Sequence, residues 1–335
     1  MHYTIMKLLS DDIAILYSKL LEQLQADTLE RIPSSGSIVN KTIAGKVYWY
    51  HQYRFLGKQR QSALGVGIPA EEWINALKIR EDLCVLLASG GMHALGARSA
   101  EANVLGHLVI SGVFDSGAVL VGSHAFGAIC NILGIRVDTQ LTRTQDFDFG
   151  IDRTIKLAIE NPQLEKSLIS AGMHAVPGFD RPPTATSFRT PDKKVKVDFL
   201  TPIVSNKTGK SIRLTKHGVH ADGLKYLGYL IENPIHAALV TQYGTLVRIP
   251  QPAKFALHKL IVASQRTATD EAKRKKDVAQ ASLILRYLVE YRAHDLRPAW
   301  DALAHKSWKK LVLQSTEWLE PELKQDKALS FLWKS

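Results

Sequence analysis

Cysteine is almost missing from these 335 residues, with Cys84 and Cys130 the only two. They show no metal-ligand spacing and no paired framework, which excludes a structural zinc site and a disulfide-stapled secreted fold. Both lie in apolar helical stretches and read as small core residues in a reducing cytoplasm. Long hydrophobic runs are missing too. No apolar stretch approaches the roughly 20 residues that span a bilayer. The segment Met1 to Ser10 lacks the charged start and small-residue cleavage site of a signal peptide, so no membrane association is expected. Internal repeats and low-complexity tails are absent. Acidic residues are in the minority, 32 against 43 basic ones, for a formal charge of +11. That excess favours a polyanionic partner such as tRNA or DNA, or at least a triphosphate. What is plentiful is apolar side chain, 45% of the residues, enough for a sizeable core and two or three domains.

The most informative stretch runs from Ala118 to Ile151. Ala118, Val119, Leu120 and Val121 form a short apolar run that breaks into Gly122-Ser123 before a second apolar run. That pattern predicts a buried strand, a tight turn and a helix start. Unpaired backbone N–H groups at such a start attract phosphate, and Gly122 leaves room for it to approach. The stretch ends in Thr144-Gln145-Asp146-Phe147-Asp148-Phe149-Gly150. Residues two apart in a strand share a face, so Asp146 and Asp148 project together while Phe147 and Phe149 enter the core. Two adjacent carboxylates repel unless a cation joins them. Oxygen-only ligands of this kind suit Mg²⁺, which in turn suits nucleotide phosphates. A strand end carrying two solvated acids is the plain alternative.

Gly122-Ser123 followed by Asp146-Phe147-Asp148-Phe149 resembles the signature of the nucleotidyltransferase fold shared by DNA polymerase β, aminoglycoside nucleotidyltransferases and toxin-type enzymes. Most of the chain is similar to a bacterial group of that fold whose substrate is unassigned. The resemblance implies a third carboxylate on a later strand, and Lys194-Val-Lys196-Val-Asp198-Phe-Leu200 supplies it, with Lys194, Lys196 and Asp198 on one face. It also implies a helical Lys before Leu lying over the triphosphate and a downstream Lys-Asp segment, matched by Lys259-Leu260 and Lys276-Asp277. The gap between Ser123 and Asp146 exceeds the superfamily's usual one, marking Arg136 to Thr144 as an inserted loop. The implied roles are Asp146, Asp148 and Asp198 as catalytic and metal-binding carboxylates for two Mg²⁺ ions, with Mn²⁺ as substitute. Asp198 would also act as base, and Gly122, Ser123, Lys259 and Lys276 would hold the NTP. Ser123 also reads as an ordinary helix cap, and the Lys273 to Lys276 run as a solvated face. His124 is placed to touch the nucleotide.

The resulting expectation is an α+β chain: a mixed nucleotidyltransferase sheet flanked by helices over 96–250, a helix and aromatic β-hairpin over 1–95, and a helical domain over 251–335. Asp11 to about Ala26 is a helix with Ile13, Leu16, Leu20 and Leu24 in one stripe. Val47 to Phe55 alternates aromatics on both faces and turns at Gly57-Lys58 into Gln59 to Leu64. Such a hairpin packs as a small sheet; with Lys46, Arg54, Lys58 and Arg60 it could also stack bases and hold RNA or DNA phosphates. Pro69 opens a helix to Ala88, and Ser99 caps another reaching Val113. A helix follows Asn161-Pro162, and Val176 to Pro183 is a loop. Ser187 to Thr190 and Lys193 to Leu200 form a hairpin, as do Ala237 to Val240 and Thr245 to Ile249. His217, His220 and Asp222 read as surface residues of a loop, and Pro298 to Trp333 as a helical cap. Two readings follow: an active transferase acting on a hydroxyl or phosphate of RNA, protein or a small molecule, used in housekeeping or toxin-like, or a non-catalytic nucleic-acid-binding module.

Overall fold

The computed structural model describes residues 6–26, 36–55, 58–63, 70–97, 99–142, 144–154, 164–170, 172–178, 184–203 and 211–333. The expectations for Gly57, Pro69 and Asn161-Pro162 lie outside the described residues. Helix α1, Asp11–Ala26, begins with Asp11 and Asp12 at its positive end and buries Tyr17, Leu20 and Leu24. It packs on α2, Ala70–Ser89, which contributes Leu83, Cys84 and Leu87 to the same cluster. The short β1, Lys7–Leu8, precedes them.

The expected aromatic hairpin is instead three strands: β2 Ser37–Ile43, β3 Lys46–Phe55 and β4 Lys58–Ala63. β2 carries no strong periodicity. It is held by pairing with β3 across Ala44-Gly45, both at positive φ as a tight hairpin turn requires. Directly paired residues share a face, so Lys41, Tyr48, Tyr50, Gln52 and Gln61 stand together, with Lys41 donating to Gln61 Oε1 at 2.7 Å. The other face carries His51, which is fully buried. Next, α3, Ala100–Ile110, starts where Ser99 Oγ accepts the Ala102 N–H at 3.0 Å. It stops short of the expected Val113, because the chain turns at Gly112 with φ +75°.

Strand β5, Val119–Val121, leads directly into α4, Gly122–Ile132. The stretch expected to be an inserted loop, Arg136 to Thr144, begins on the last residue of β6, Ile135–Arg136, which pairs with β1, and contains a short helix α5, Thr139–Thr142. β7, Asp146–Gly150, follows, then α6, Leu164–Ser170. The expected loop after Val176 begins as strand β8, His174–Pro177, paired with β9, Ala185–Arg189. β10 spans Lys196–Pro202, so Lys194 falls outside the strand and pairs with Asp192 in the turn before it. β11, Ser211–Leu214, and β12, Val219–Leu224, form a hairpin where a surface loop was expected. His217 is buried against the Ser116 carbonyl at 3.0 Å, because the turn tucks under the sheet.

β5, β7, β8, β9, β10, β11 and β12 make one mixed sheet in the order β11-β12-β10-β7-β5, with β9 also on β10. β7 lies antiparallel to β5 and parallel to β10. Phe147, Phe149, Val197 and Phe199 are fully buried on one face, with Phe147 stacked on Phe149 at a centroid spacing of 6.3 Å and Phe199 tilted against Phe149 at 6.1 Å. Burying each such ring contributes on the order of 2–3 kcal/mol. The opposite face presents the acids.

Helix α7, Leu227–Ile231, leads to the hairpin β13, Ile235–Leu239, and β14, Thr245–Ile249. The chain finishes in helices α8, Pro252–Ser264, α9, Glu271–Tyr291, α10, Leu296–Asp301, α11, Lys306–Ser315, α12, Pro321–Gln325, and α13, Ser330–Trp333. The α1 cluster includes Ala238 of β13, where the Tyr17 hydroxyl donates to the carbonyl at 3.1 Å and accepts the N–H at 3.0 Å. Tyr17→Phe leaves both backbone groups of Ala238 unsatisfied in an apolar cluster. The expected cost is about 1–3 kcal/mol in urea unfolding; an unchanged midpoint would show that this tie does not stabilise the fold.

Candidate active site

The carboxylates meet because of register. Asp198 stands opposite Asp148 and Lys196 opposite Asp146 on the parallel pair, while Val121 stands opposite Asp148 on the other side. Asp148 therefore faces the end of β5, where the chain turns into α4 through Gly122 at φ +70°. A Cβ there would collide with Asp148 Oδ2, so glycine is required by backbone and by space together. Ser123 follows at the positive end of α4, its hydroxyl accepting from Lys276 Nζ at 3.0 Å. The sheet thus gathers Gly122, Ser123, Asp146, Asp148 and Asp198 from the β5 turn, β7 and β10 onto one face.

Asp146 is exposed, whereas Asp148 and Asp198 are half-buried. Burial, with the Asp198 and Asp146 charges beside it, pushes the Asp148 carboxyl from an ordinary value of 3.8 up to about 7. The Lys259 and Lys196 charges pull the other way. Asp198 accepts from Ser187 Oγ, and its other oxygen takes Lys196 Nζ at 2.7 Å. Among the described residues no three His, Cys, Asp or Glu side chains are arranged to hold a metal ion. With Lys196 paired to Asp198, a cation bridging all three acids needs that lysine to swing aside. The donor chemistry itself fits a hard divalent ion, since the three acids offer oxygen ligands only.

Lys259 and Lys276 come from α8 and α9 and converge on the same side. Lys259 Nζ donates to Asp277 Oδ1 at 2.8 Å, and Arg266 Nε holds the other oxygen at 3.1 Å. Asp277 is buried and is thus a packing anchor for two cations. Burial first, then the Lys259 charge, draws Lys276 below the ordinary lysine value. Arg266, Ser187 and the pairing role of Lys196 escaped the sequence reading; only Lys196 carried a signal, its shared face with Asp198. His124 does not reach the carboxylate face. It is buried and stacked on Phe147 at 4.3 Å, and burial pushes its imidazole down to about 3, so it stays neutral. The inward side of α4 packs beneath the sheet, and His124 goes with it.

A family model described as Nucleotidyltransferase matches residues 99–305. The chain belongs to this nucleotidyltransferase family. Membership brings transfer of a nucleotidyl group with an NTP as donor. Searches of the curated proteins and of the solved structures return no match. No helix among the described residues is long and apolar enough to cross a membrane.

The raised Asp148 ionisation has a stability consequence in metal-free protein. The unfolded carboxyl ionises near pH 4 and the folded one near 7, so between them the folded state holds the extra proton and stability falls as pH rises. With chelator present, Asp148→Asn is expected to gain on wild type from pH 4 to 7, by on the order of 1–4 kcal/mol, and to level off above. Urea melts at each pH check this; a difference that stays flat would remove the raised ionisation.

Proposed function

We propose that this nucleotidyltransferase is a Mg²⁺-dependent enzyme of the polymerase-β-like type, from a bacterial group of unassigned substrate, that moves NMP from ATP or another NTP to a hydroxyl or phosphate acceptor. The observation that carries the reading is the register placing Asp148 between Asp198 and the Gly122 turn, with cationic side chains from α8 and α9 on the same side. Asp146, Asp148 and Asp198 would hold the metal, two ions of Mg²⁺ or Mn²⁺, which supplies neutralisation of the triphosphate and of the entering and leaving oxygens. The Ser123 N–H and hydroxyl, with Lys276 and Lys259, receive β- and γ-phosphate oxygens at the start of α4. Gly122 lets the phosphate chain lie against the strand end. Asp198, held by Ser187 and Lys196, takes the proton of the acceptor hydroxyl as its oxygen bonds to the α-phosphorus. The bond from that phosphorus to the bridging oxygen breaks, and pyrophosphate leaves.

A nucleic-acid acceptor is favoured by the exposed face of β2–β4, where Lys41 lies over the Tyr50 ring at 5.1 Å beside Tyr48. Bases stack on such rings while lysines hold phosphate. The same face serves the second reading, a binding module without catalysis. Retention of all three acids favours the enzyme. Two buried free thiols, Cys84 and Cys130, fit a reducing cytoplasm. Toxin-like use of this chemistry on RNA would show as growth arrest on expression.

The test is transfer of α-labelled NTPs, one base at a time, with Mg²⁺ and total cellular RNA and protein. Wild type is expected to deposit label that the Asp146→Ala/Asp148→Ala variant does not. Nuclease or protease sensitivity then identifies the acceptor. Lys259→Met and Lys276→Met are each expected to raise the KM for NTP about tenfold or more, as lost charge-assisted phosphate contacts. Nucleic-acid binding without label under any condition would instead establish the binding module.

A further inference from the structure

One cavity of the structure lies away from the carboxylates. It has a volume of about 500 Å³, in the range that accepts one small molecule, and it lies at the other end of β5 and β7. Val119 and Asp152 floor it, α7 gives Tyr229, β14 gives Arg248, and Trp308 closes it from α11. Asp152 is four residues beyond Asp148, about 13 Å at the rise of an extended strand.

We propose that this cavity is a binding site for a small organic anion, a carboxylate or phosphate ester borne on a flat ring. Arg248 is its anchor. The residue alternates with the fully buried Val247 and Ile249 on β14, which turns the guanidinium to the cavity side of the hairpin, half-buried. Among the described residues no carboxylate or carbonyl accepts a hydrogen bond from it. Of the two acids that share the cavity, Glu232 has a cationic partner of its own, and Asp152 is held by a neutral residue while keeping its charge. Asp152 Oδ1 accepts both the N–H and the hydroxyl of Thr154 at 2.8 Å, and Glu232 Oε2 pairs with Lys254 Nζ at 2.7 Å. Desolvation draws Arg248 below the ordinary arginine value, the mark of a cation held partly out of water without a counter-charge. A planar guanidinium presents paired donors that suit the two oxygens of a carboxylate or phosphate.

The ring preference comes from the walls. Tyr229 is buried, its hydroxyl spent on the Ala299 carbonyl at 2.9 Å and its ring under the Lys254 ammonium at 5.5 Å, so it lines the cavity as a fixed apolar surface. Trp308 is braced edge-on by Tyr226 at 5.1 Å and by His305 at 5.1 Å, which fixes the indole as a wall. A rigid aromatic wall opposite an unpaired guanidinium selects a ligand with one flat end and one anionic end.

Phenyl phosphate is the probe, with inorganic phosphate as the ring-less control, titrated calorimetrically into the full chain at low ionic strength. One saturable site for phenyl phosphate is expected, weakened about tenfold or more by Arg248→Met and unaffected by Lys259→Met. Trp308→Leu should weaken phenyl phosphate and leave inorganic phosphate unchanged. Thermal melts of each variant establish that it is folded, and Arg248→Lys gives a second reading if the Met variant is not. No saturable binding, binding indifferent to Arg248, or binding lost through Lys259 would each overturn the proposal; the last would place the probe at the transferase site. None of these outcomes depends on whether nucleotidyl transfer is detected.

Discussion

Three carboxylates crowded on one face of the sheet are the constraint that the rest of this molecule answers. Parallel pairing of β7 with β10 sets Asp148 against Asp198, and strand alternation adds Asp146. Left alone, such a cluster repels itself and destabilises the strands that carry it. The compensation is on the opposite face, where Phe147, Phe149, Val197 and Phe199 are fully buried. A slip of one residue would exchange acids for rings, burying charge and exposing aromatics at once, so the apolar layer locks the register that gathers the acids. Stability and the site's geometry therefore rest on the same alternation.

Positive charge reaches that face from far along the chain. Lys276 bonds Ser123 across a separation of 153 residues, and Lys259 is fixed by Asp277. Asp277 is buried and holds two cations, Lys259 and Arg266, with a full set of ion pairs. Removing such an acid leaves uncompensated cations half out of water, which costs far more than the pair itself contributes. Asp277 is thus a positioning residue, and through it the packing of α8 on α9 decides where the Lys259 ammonium stands.

Local periodicity made much of this legible in the sequence. The strand, glycine turn and helix over Ala118 to Ile132 and the alternation through Asp146 to Phe149 are short-range patterns, and the structure keeps them. What stayed hidden depends on distant partners. β2 is a strand because β3 lies beside it, and His220 and Asp222 are strand residues because β12 pairs with both β10 and β11. His124 follows a phosphate-type turn, yet helix geometry carries it to the buried side. The Asp277 anchor needed the packing of two helices and a connecting loop, for which a single sequence gives no spacing rule.

Both ends of β5 and β7 now present unmet charge of opposite sign: acids beside Gly122 and a guanidinium near Val119. They cannot neutralise each other. Asp148 and Asp152, which mark the two ends, stand about 13 Å apart at the rise of an extended strand, and at an effective dielectric near 20 unit charges at that separation interact by only about 1 kcal/mol, less in salt. On the two proposals made above, each end takes its counter-charge from a bound partner, a cation at the acids and an anion at Arg248, and the same short strands carry both sites.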